Sequence, residues 1–175
     1  WHSTIFGPYF VIGAIFSGIA ALIIAMAVLR RVYHLEAYFK EVHFNNMGLM
    51  LLLMSLLWTY FTFAEYLTAW YGGEEAEMAT FWSKISGQFS VPFWMMVVSC
   101  FIVPFVLMCR KATRGVLGTS IASAFVVLGM WLERFNIVVP TSVHPRVGMP
   151  GASYFPSWVE LSIMAATFSG FILVY

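Results

Sequence analysis

A chain of 175 residues that is 61% hydrophobic and 10% charged, with mean hydropathy +0.85, lies far from the balance of soluble domains, which are about 45–50% apolar and about 25% charged; a soluble domain is excluded. Nine Lys+Arg against eight Asp+Glu leave a net charge of +1, too little basic surface to neutralise a run of phosphates, so nucleic acid is excluded as a partner. Membrane lipids are the surroundings this composition suits.

A helix needs about 20 apolar residues to cross a bilayer, and the long apolar runs supply about five. The predicted fold class is therefore all-α, a polytopic transmembrane helix bundle, with 1–175 forming a single transmembrane segment and spans near 7–29, 47–71, 90–108, 116–139 and 157–175. The first span, Gly7 to Leu29, stops at Arg30 and Arg31. The polar stretch Tyr33 to Asn46, with His34, Glu36, Lys40, Glu41 and His43, suits a short helix lying in the interface. The second span, Met47 to Tyr71, is followed by an acidic loop at Gly72, Gly73, Glu74, Glu75 and Glu77. The third carries Pro92 and Pro104, expected to mark a start and a kink. Arg110, Lys111 and Arg114 make the next turn, and after the fourth span, Val116 to Val139, comes a Pro/Gly-rich loop from Pro140 to Pro156. The chain opens at Trp1 without a basic leader and closes at Tyr175 inside an apolar run, so it reads as a fragment of a longer chain.

Charge placement predicts orientation. Arg30, Arg31, Lys40, Arg110, Lys111 and Arg114, six of the nine basic residues, fall on one side; Lys84, Arg134 and Arg146 fall on or near the other. The positive-inside rule puts the first group in the cytoplasm, and the start of the segment and loop 72–88 in the periplasm. Trp70, Tyr71, Trp82, Trp94, Tyr154 and Trp158, near the predicted outer ends, match an interfacial aromatic belt. Gly13, Ser17, Ala21 and Ala25 recur every four residues, a small-residue stripe expected to let another helix approach closely.

Ionisable groups within the spans carry the functional signal, because a charge in the membrane is costly and usually pairs or lines a cavity. Glu65 lies about two turns inside the second span, Glu133 and Arg134 stand together near the outer end of the fourth, and Glu160 begins the fifth. Three carboxylates and a guanidinium from three helices thus share the outer third of the membrane. No basic residue of its own helix lies near Glu65, which leaves Arg134 as the expected partner. A buried carboxylate in such a place suits a group that accepts and releases protons. Cys100 and Cys109, nine residues apart, point about 180° apart on a helix and on the order of 13 Å along it. They cannot bridge, and no zinc or iron–sulfur site is expected within the chain. His2, His34, His43 and His144 fall in loops or at span ends, so a haem held by this segment alone is not expected. His2 and His144 lie on the side of the carboxylates and could extend a proton relay there.

The run Trp1-His2-Ser3-Thr4-Ile5-Phe6-Gly7-Pro8-Tyr9-Phe10-Val11, then Glu65 followed by Ala69-Trp70-Tyr71-Gly72, then Met130-Trp131-Leu132-Glu133-Arg134-Phe135, resembles the ActC membrane subunits of bacterial alternative complex III. Those subunits are of the NrfD/polysulfide-reductase type of quinone-interacting integral membrane proteins. The resemblance implies a haem-free, multi-pass subunit of the bacterial inner membrane that binds quinol, menaquinol included, near the periplasmic face of a respiratory electron-transport complex. Electrons would pass to an iron–sulfur subunit and then to haem c of a multihaem cytochrome subunit, beside a second NrfD-like membrane subunit. By position, His2, Glu65, Glu133 and Arg134 match the family's motifs; Glu65, Glu133 and Arg134 are the expected catalytic groups, and His2, Glu65, Arg134 and Glu160 the expected quinol contacts.

The reading that follows is a subunit that helps form a quinol-oxidising site, in which the protein accepts protons and places the ring while partner carriers take the electrons. Quinone reduction on the same fold, a transporter or ion pathway using the carboxylates, and a passive anchor in which Glu65 is dispensable are the alternatives.

Overall fold

The computed structural model describes residues 4–143 and 156–174, and every regular element in them is helical. In chain order the helices are α1 (Phe6–Val32), α2 (Glu41–Gly72), α3 (Glu75–Ile85), α4 (Ser90–Val97), α5 (Val103–Cys109), α6 (Val116–Val143) and α7 (Trp158–Val174). A π-helical turn, Val98–Ile102, joins α4 and α5 into one continuous span, Ser90–Cys109. Four stretches are long and apolar enough to cross a membrane, at 27, 32, 20 and 28 residues for α1, α2, α4–α5 and α6. The fifth predicted span is represented by α7, an apolar helix of 17 residues, exposed throughout its described length.

The long helices pack along seams of one period. Buried positions on α1 are Tyr9, Gly13, Phe16, Ala20 and Ile23; on α2 they include Phe44, Gly48, Leu51, Ser55, Trp58 and Thr62; on α6 they include Thr119, Ala122, Val126, Gly129, Glu133, Asn136 and Pro140. Steps of three and four alternate in each, the seven-residue repeat of left-handed bundle packing. The four-residue stripe on α1 fails for the same reason: each step of four advances about 400°, so it drifts about 40° per step off a straight seam. Gly13 is buried and Ser17 half-buried, but Ala21 and Ala25 are exposed.

Two close approaches bind α6 to its neighbours. A Cβ on Gly13 of α1 would lie 2.9 Å from Met130 Cε and 3.2 Å from Arg134 Nη2, and one on Gly129 would lie 2.5 Å from Cys100 Sγ and 2.9 Å from Ser99 Cβ in the π turn. The π turn is explained by Pro104. Proline has no N–H for the carbonyl four residues back, and that carbonyl, Cys100 O, instead accepts a hydrogen bond from Ser55 Oγ of α2 at 2.7 Å. Where a kink is expected there is a π turn, and the carbonyl it leaves over is tied to the neighbouring helix. Cys100 is buried and Cys109 exposed, and both are free thiols.

Three connections differ from expectation. No separate interfacial helix forms in Tyr33–Asn46: the chain turns through His34 at φ 52° and enters α2 at Glu41, so the polar stretch becomes the first turns of a long helix. The acidic loop is short, because Gly73 caps α2 in the left-handed conformation (φ 63°) and α3 starts at Glu75. Glu75 and Glu77 in the first turn of α3 and Lys84 in its last suit the helix dipole. Pro140, predicted to open a loop, lies inside α6, which continues to Val143; the rest of the predicted loop, to 155, lies outside the described residues.

The six basic residues of the predicted cytoplasmic group cluster at one end of the bundle, where α1 and α5 finish and α2 and α6 begin. There the Arg30 guanidinium lies over the Phe44 ring at 5.9 Å.

Candidate functional site

At the opposite end, α1, α2, α3, α4 and α6 converge on a cavity lined by Tyr9, Thr62, Glu65, Tyr66, Lys84, Met96, Glu133, Asn136 and Ile137. Helical spacing assembles it: Thr62, Glu65 and Tyr66 on α2, and Glu133, Asn136 and Ile137 on α6, each sit at i, i+3, i+4 and share one face. The cavity encloses about 20 Å³, room for a single water molecule.

The α1–α6 side is the more deeply buried. Glu133 occupies a seam position and is only 1% exposed. Its Oε1 accepts a hydrogen bond from Trp58 Nε1 at 2.7 Å, and Tyr9 of α1 shares the cavity wall with Glu133 and Thr62. Oε2 of Glu133 lies 3.6 Å from Arg134 Nη1, an ion pair rather than a hydrogen bond, and has no hydrogen-bond partner among the described residues. Arg134 turns outward, with its guanidinium 4.1 Å above the Phe10 ring, a cation–π contact on α1. Asn136 donates from Nδ2 to Pro92 O at 3.2 Å, tying α6 to the first turn of α4, while its buried Oδ1 has no hydrogen-bond partner among the described residues.

On the α2–α3 side, Glu65 is half-buried and interacts electrostatically with Lys84 and with Tyr66. Lys84 is 5% exposed, and its Nζ lies 5.8 Å from the centre of the Tyr66 ring. Burial pushes the Lys84 ammonium down to about 8, against the opposing pull of the Glu65 carboxylate. Desolvation thus outweighs the favourable charge.

Glu65 and Glu133 do line one cavity. Arg134, expected to partner Glu65, instead pairs with its neighbour Glu133 and stacks on Phe10, and the cation that faces Glu65 is Lys84. Glu160 is engaged at the start of α7: its Oε2 accepts from Ser157 N at 2.8 Å while Ser157 Oγ accepts from Glu160 N at 3.4 Å, a reciprocal capping box that uses the carboxylate for the helix end. It is not among the residues that line the cavity. His2 and His144 lie outside the described residues.

Three participants are not singled out by the sequence reading: Lys84, Trp58 and Tyr9. A signal for Lys84 exists. Met78, Phe81 and Ile85 set an apolar face on α3 at three- and four-residue spacing, and Lys84, three residues after Phe81, falls on it. Trp58 and Tyr9 fall on the seven-residue seams, where aromatic residues are expected for packing, and nothing in the sequence marks them as neighbours of one carboxyl group.

Long apolar helices sharing seven-residue seams, with the buried ionisable side chains Lys84 and Glu133 gathered at one end, define a multi-pass integral membrane protein. Residues 1–145 match the family described as Polysulphide reductase, NrfD, and the chain belongs to that family. It is accordingly a membrane subunit of a quinone-interacting oxidoreductase complex, in a family whose members typically partner iron–sulfur subunits. Comparison with curated proteins gives no match.

Proposed function

We propose that the chain contributes to a quinol-oxidising site of an alternative complex III-like assembly, on the periplasmic side of the inner membrane. The observation that carries the reading is the cavity, which gathers Glu65, Lys84 and Glu133 from three helices at the end distal to the basic turns. The excess of Lys and Arg on those turns supports a cytoplasmic location for that end and a periplasmic one for the cavity.

Quinol oxidation releases two protons and two electrons. A recess the size of one water does not house a ring; it receives protons from a ring lying against it, and a water bridges the quinol hydroxyl to Glu65. Glu133, fixed by Trp58, supplies negative charge behind the recess, and Arg134 and Phe10 hold it in register with α1. Menaquinol is the expected substrate. An iron–sulfur subunit and the haem c of a multihaem cytochrome subunit would accept the electrons, with a second NrfD-like subunit alongside. His2 and Arg134 remain proposed quinol contacts through the family motifs they match; Glu160, committed to its capping box, is the weakest member of the proposed set.

The test is Glu65→Gln in the purified complex, assayed with a soluble quinol analogue. The amide keeps the volume but cannot take a proton, so turnover should fall about 10²-fold with subunit content unchanged. Wild-type turnover in the assembled variant removes Glu65 from the site.

A further inference from the structure

We propose that Lys84 is a further acid–base residue of this site, exchanging a proton with the hydroxyl of a quinol-class ligand in partnership with Glu65, an inference that rests on the quinol reading above.

Lysine is almost never fully buried unless it is paired. Lys84 is 5% exposed at the end of a short amphipathic helix, on the wall of a cavity shared with Glu65. A lysine serving solubility or helix capping alone would extend from the last turn of α3 into solvent; this one is turned across Tyr66 into the recess. The other carboxyl group of the cavity, Glu133, is already engaged by Trp58 and Arg134. Among the described residues, the α2–α3 side of the cavity brings one amine and one carboxylate. The described ionisable side chains that line the cavity with Lys84 are Glu65 and Tyr66 from α2, Glu133 from α6 and Tyr9 from α1, while α4 brings none.

Two groups match the two protons of a quinol. In the step assigned to Lys84, an O–H bond of the ligand breaks, its electron pair stays on oxygen, and an N–H bond forms on the neutral amine. Glu65 takes the second proton as an O–H bond, and the two electrons leave the ring for an iron–sulfur acceptor of a partner subunit. An ammonium brought down to about 8 by burial gives an appreciable fraction of free amine near neutrality, as a lysine base requires.

The experiment compares the purified complex carrying Lys84 with Lys84→Met and Lys84→Arg, measuring kcat/KM for a soluble short-chain quinol from about pH 6 to about pH 10, a range that brackets the ordinary lysine value. Wild type should gain rate as pH rises and level off above about 8. Lys84→Met should lose about 10²-fold in rate together with that rising limb. Lys84→Arg keeps the positive charge opposite Glu65 but stays protonated throughout, so it should assemble normally and still lack the limb. Recovery of both rate and limb in Lys84→Arg would make Lys84 a charge partner only and overturn the proposal, as would a wild-type profile in Lys84→Met.

A second readout covers variants that fail to assemble. Reductive methylation of Lys84 in the wild-type complex, followed by mass spectrometry against pH, should show a midpoint near 8 and slowing by a quinone analogue; a midpoint above about 10, the ordinary lysine range, would overturn the acid–base role. Absence of any quinol turnover in the wild-type complex would instead defeat the quinol reading itself.

Discussion

Replacing Trp58 with Phe isolates the contact that holds the buried Glu133 carboxyl group. Trp58 is 1% exposed, and its Nε1 donates to Glu133 Oε1 at 2.7 Å, while Oε2 has only the 3.6 Å ion pair with Arg134. Phenylalanine deletes that donor. A hydrogen bond to a charged group contributes about 1.5–3 kcal/mol, and the acceptor left behind is buried. The lost ring atoms add a packing deficit. Lipid tails are as apolar as the core, so the loss is counted as cavity rather than as transfer to water; roughly 40 Å³ at about 24 cal/mol per Å³ gives about 1 kcal/mol. Together the variant should lose about 2.5–4 kcal/mol, measured by thermal or denaturant unfolding in detergent. Trp82→Phe, at a residue 53% exposed, should change stability by less than about 0.5 kcal/mol. A double-mutant cycle with Glu133→Leu, which removes the acceptor, should return a coupling of about 1–2 kcal/mol, because the two residues share one bond. Additive losses, or a Trp58→Phe cost no larger than that of Trp82→Phe, would refute the assignment of Glu133 to Trp58.

Gly13→Ala should cost about 1–2 kcal/mol in the same unfolding assay and reduce turnover, because its Cβ would press on Met130 Cε at 2.9 Å and Arg134 Nη2 at 3.2 Å; Gly18→Ala, with open space around it, is the neutral control. Gly129→Ala meets Cys100 Sγ at 2.5 Å and the Cys100 backbone nitrogen at 3.3 Å, where the π turn cannot yield as a side-chain tip can, so it should lose more, about 3 kcal/mol or complete assembly. A single cysteine placed at Glu75 should react with an impermeant reagent on whole cells and one at Lys111 should not; the reverse pattern would invert the proposed topology. The Lys84 ammonium lies near 8 in the folded chain and near 10.4 when unfolded, so between these values the unfolded chain holds a proton that the folded one lacks, and stability rises with pH across that window. Lys84→Met should abolish this rise, worth on the order of 2–3 kcal/mol, in melting curves compared at about pH 8 and about pH 10.

What could be read from the sequence was set by how far each feature depends on neighbours along the chain. Apolar run length gives four of the five expected spans as long helices, while the fifth, α7, has only 17 residues. Pro104 foretells an irregular turn because the missing N–H is a property of one residue, whereas the Ser55 hydroxyl that satisfies the freed Cys100 carbonyl comes from 45 residues away and leaves no local mark. The small-residue stripe misleads because a four-residue period drifts around the helix; the seven-residue seam through Tyr9, Gly13 and Phe16 carries the contacts. For the site, depth in the membrane correctly brings Glu65 and Glu133 to one cavity, since depth is counted along each helix. Depth does not say which way a side chain faces. Arg134 sits one residue from Glu133 and about 100° around the helix, which turns it to Phe10 on α1, while α3, too short and too polar to read as a span, carries the lysine back to Glu65.

On the proposed reading, the cluster divides between a fixed half and an exchangeable half. Glu133 is held by Trp58 on α2 and by its own neighbour Arg134, and these groups lie on helices locked by seven-residue seams. Moving its carboxyl group would disturb the packing of α1, α2 and α6 together. Lys84 hangs from an 11-residue helix that follows a left-handed glycine cap at Gly73 and packs through a smaller apolar face. A group that must gain and lose a proton needs surroundings that tolerate both states, whereas a fixed charge needs surroundings that do not move. A carboxyl group rooted in the seam and an amine carried on a short helix provide one of each across a recess the size of a water molecule. This division gives α3, which is too short to span a membrane, a place in the proposed site: it brings a cation to the cavity wall that Glu65 shares.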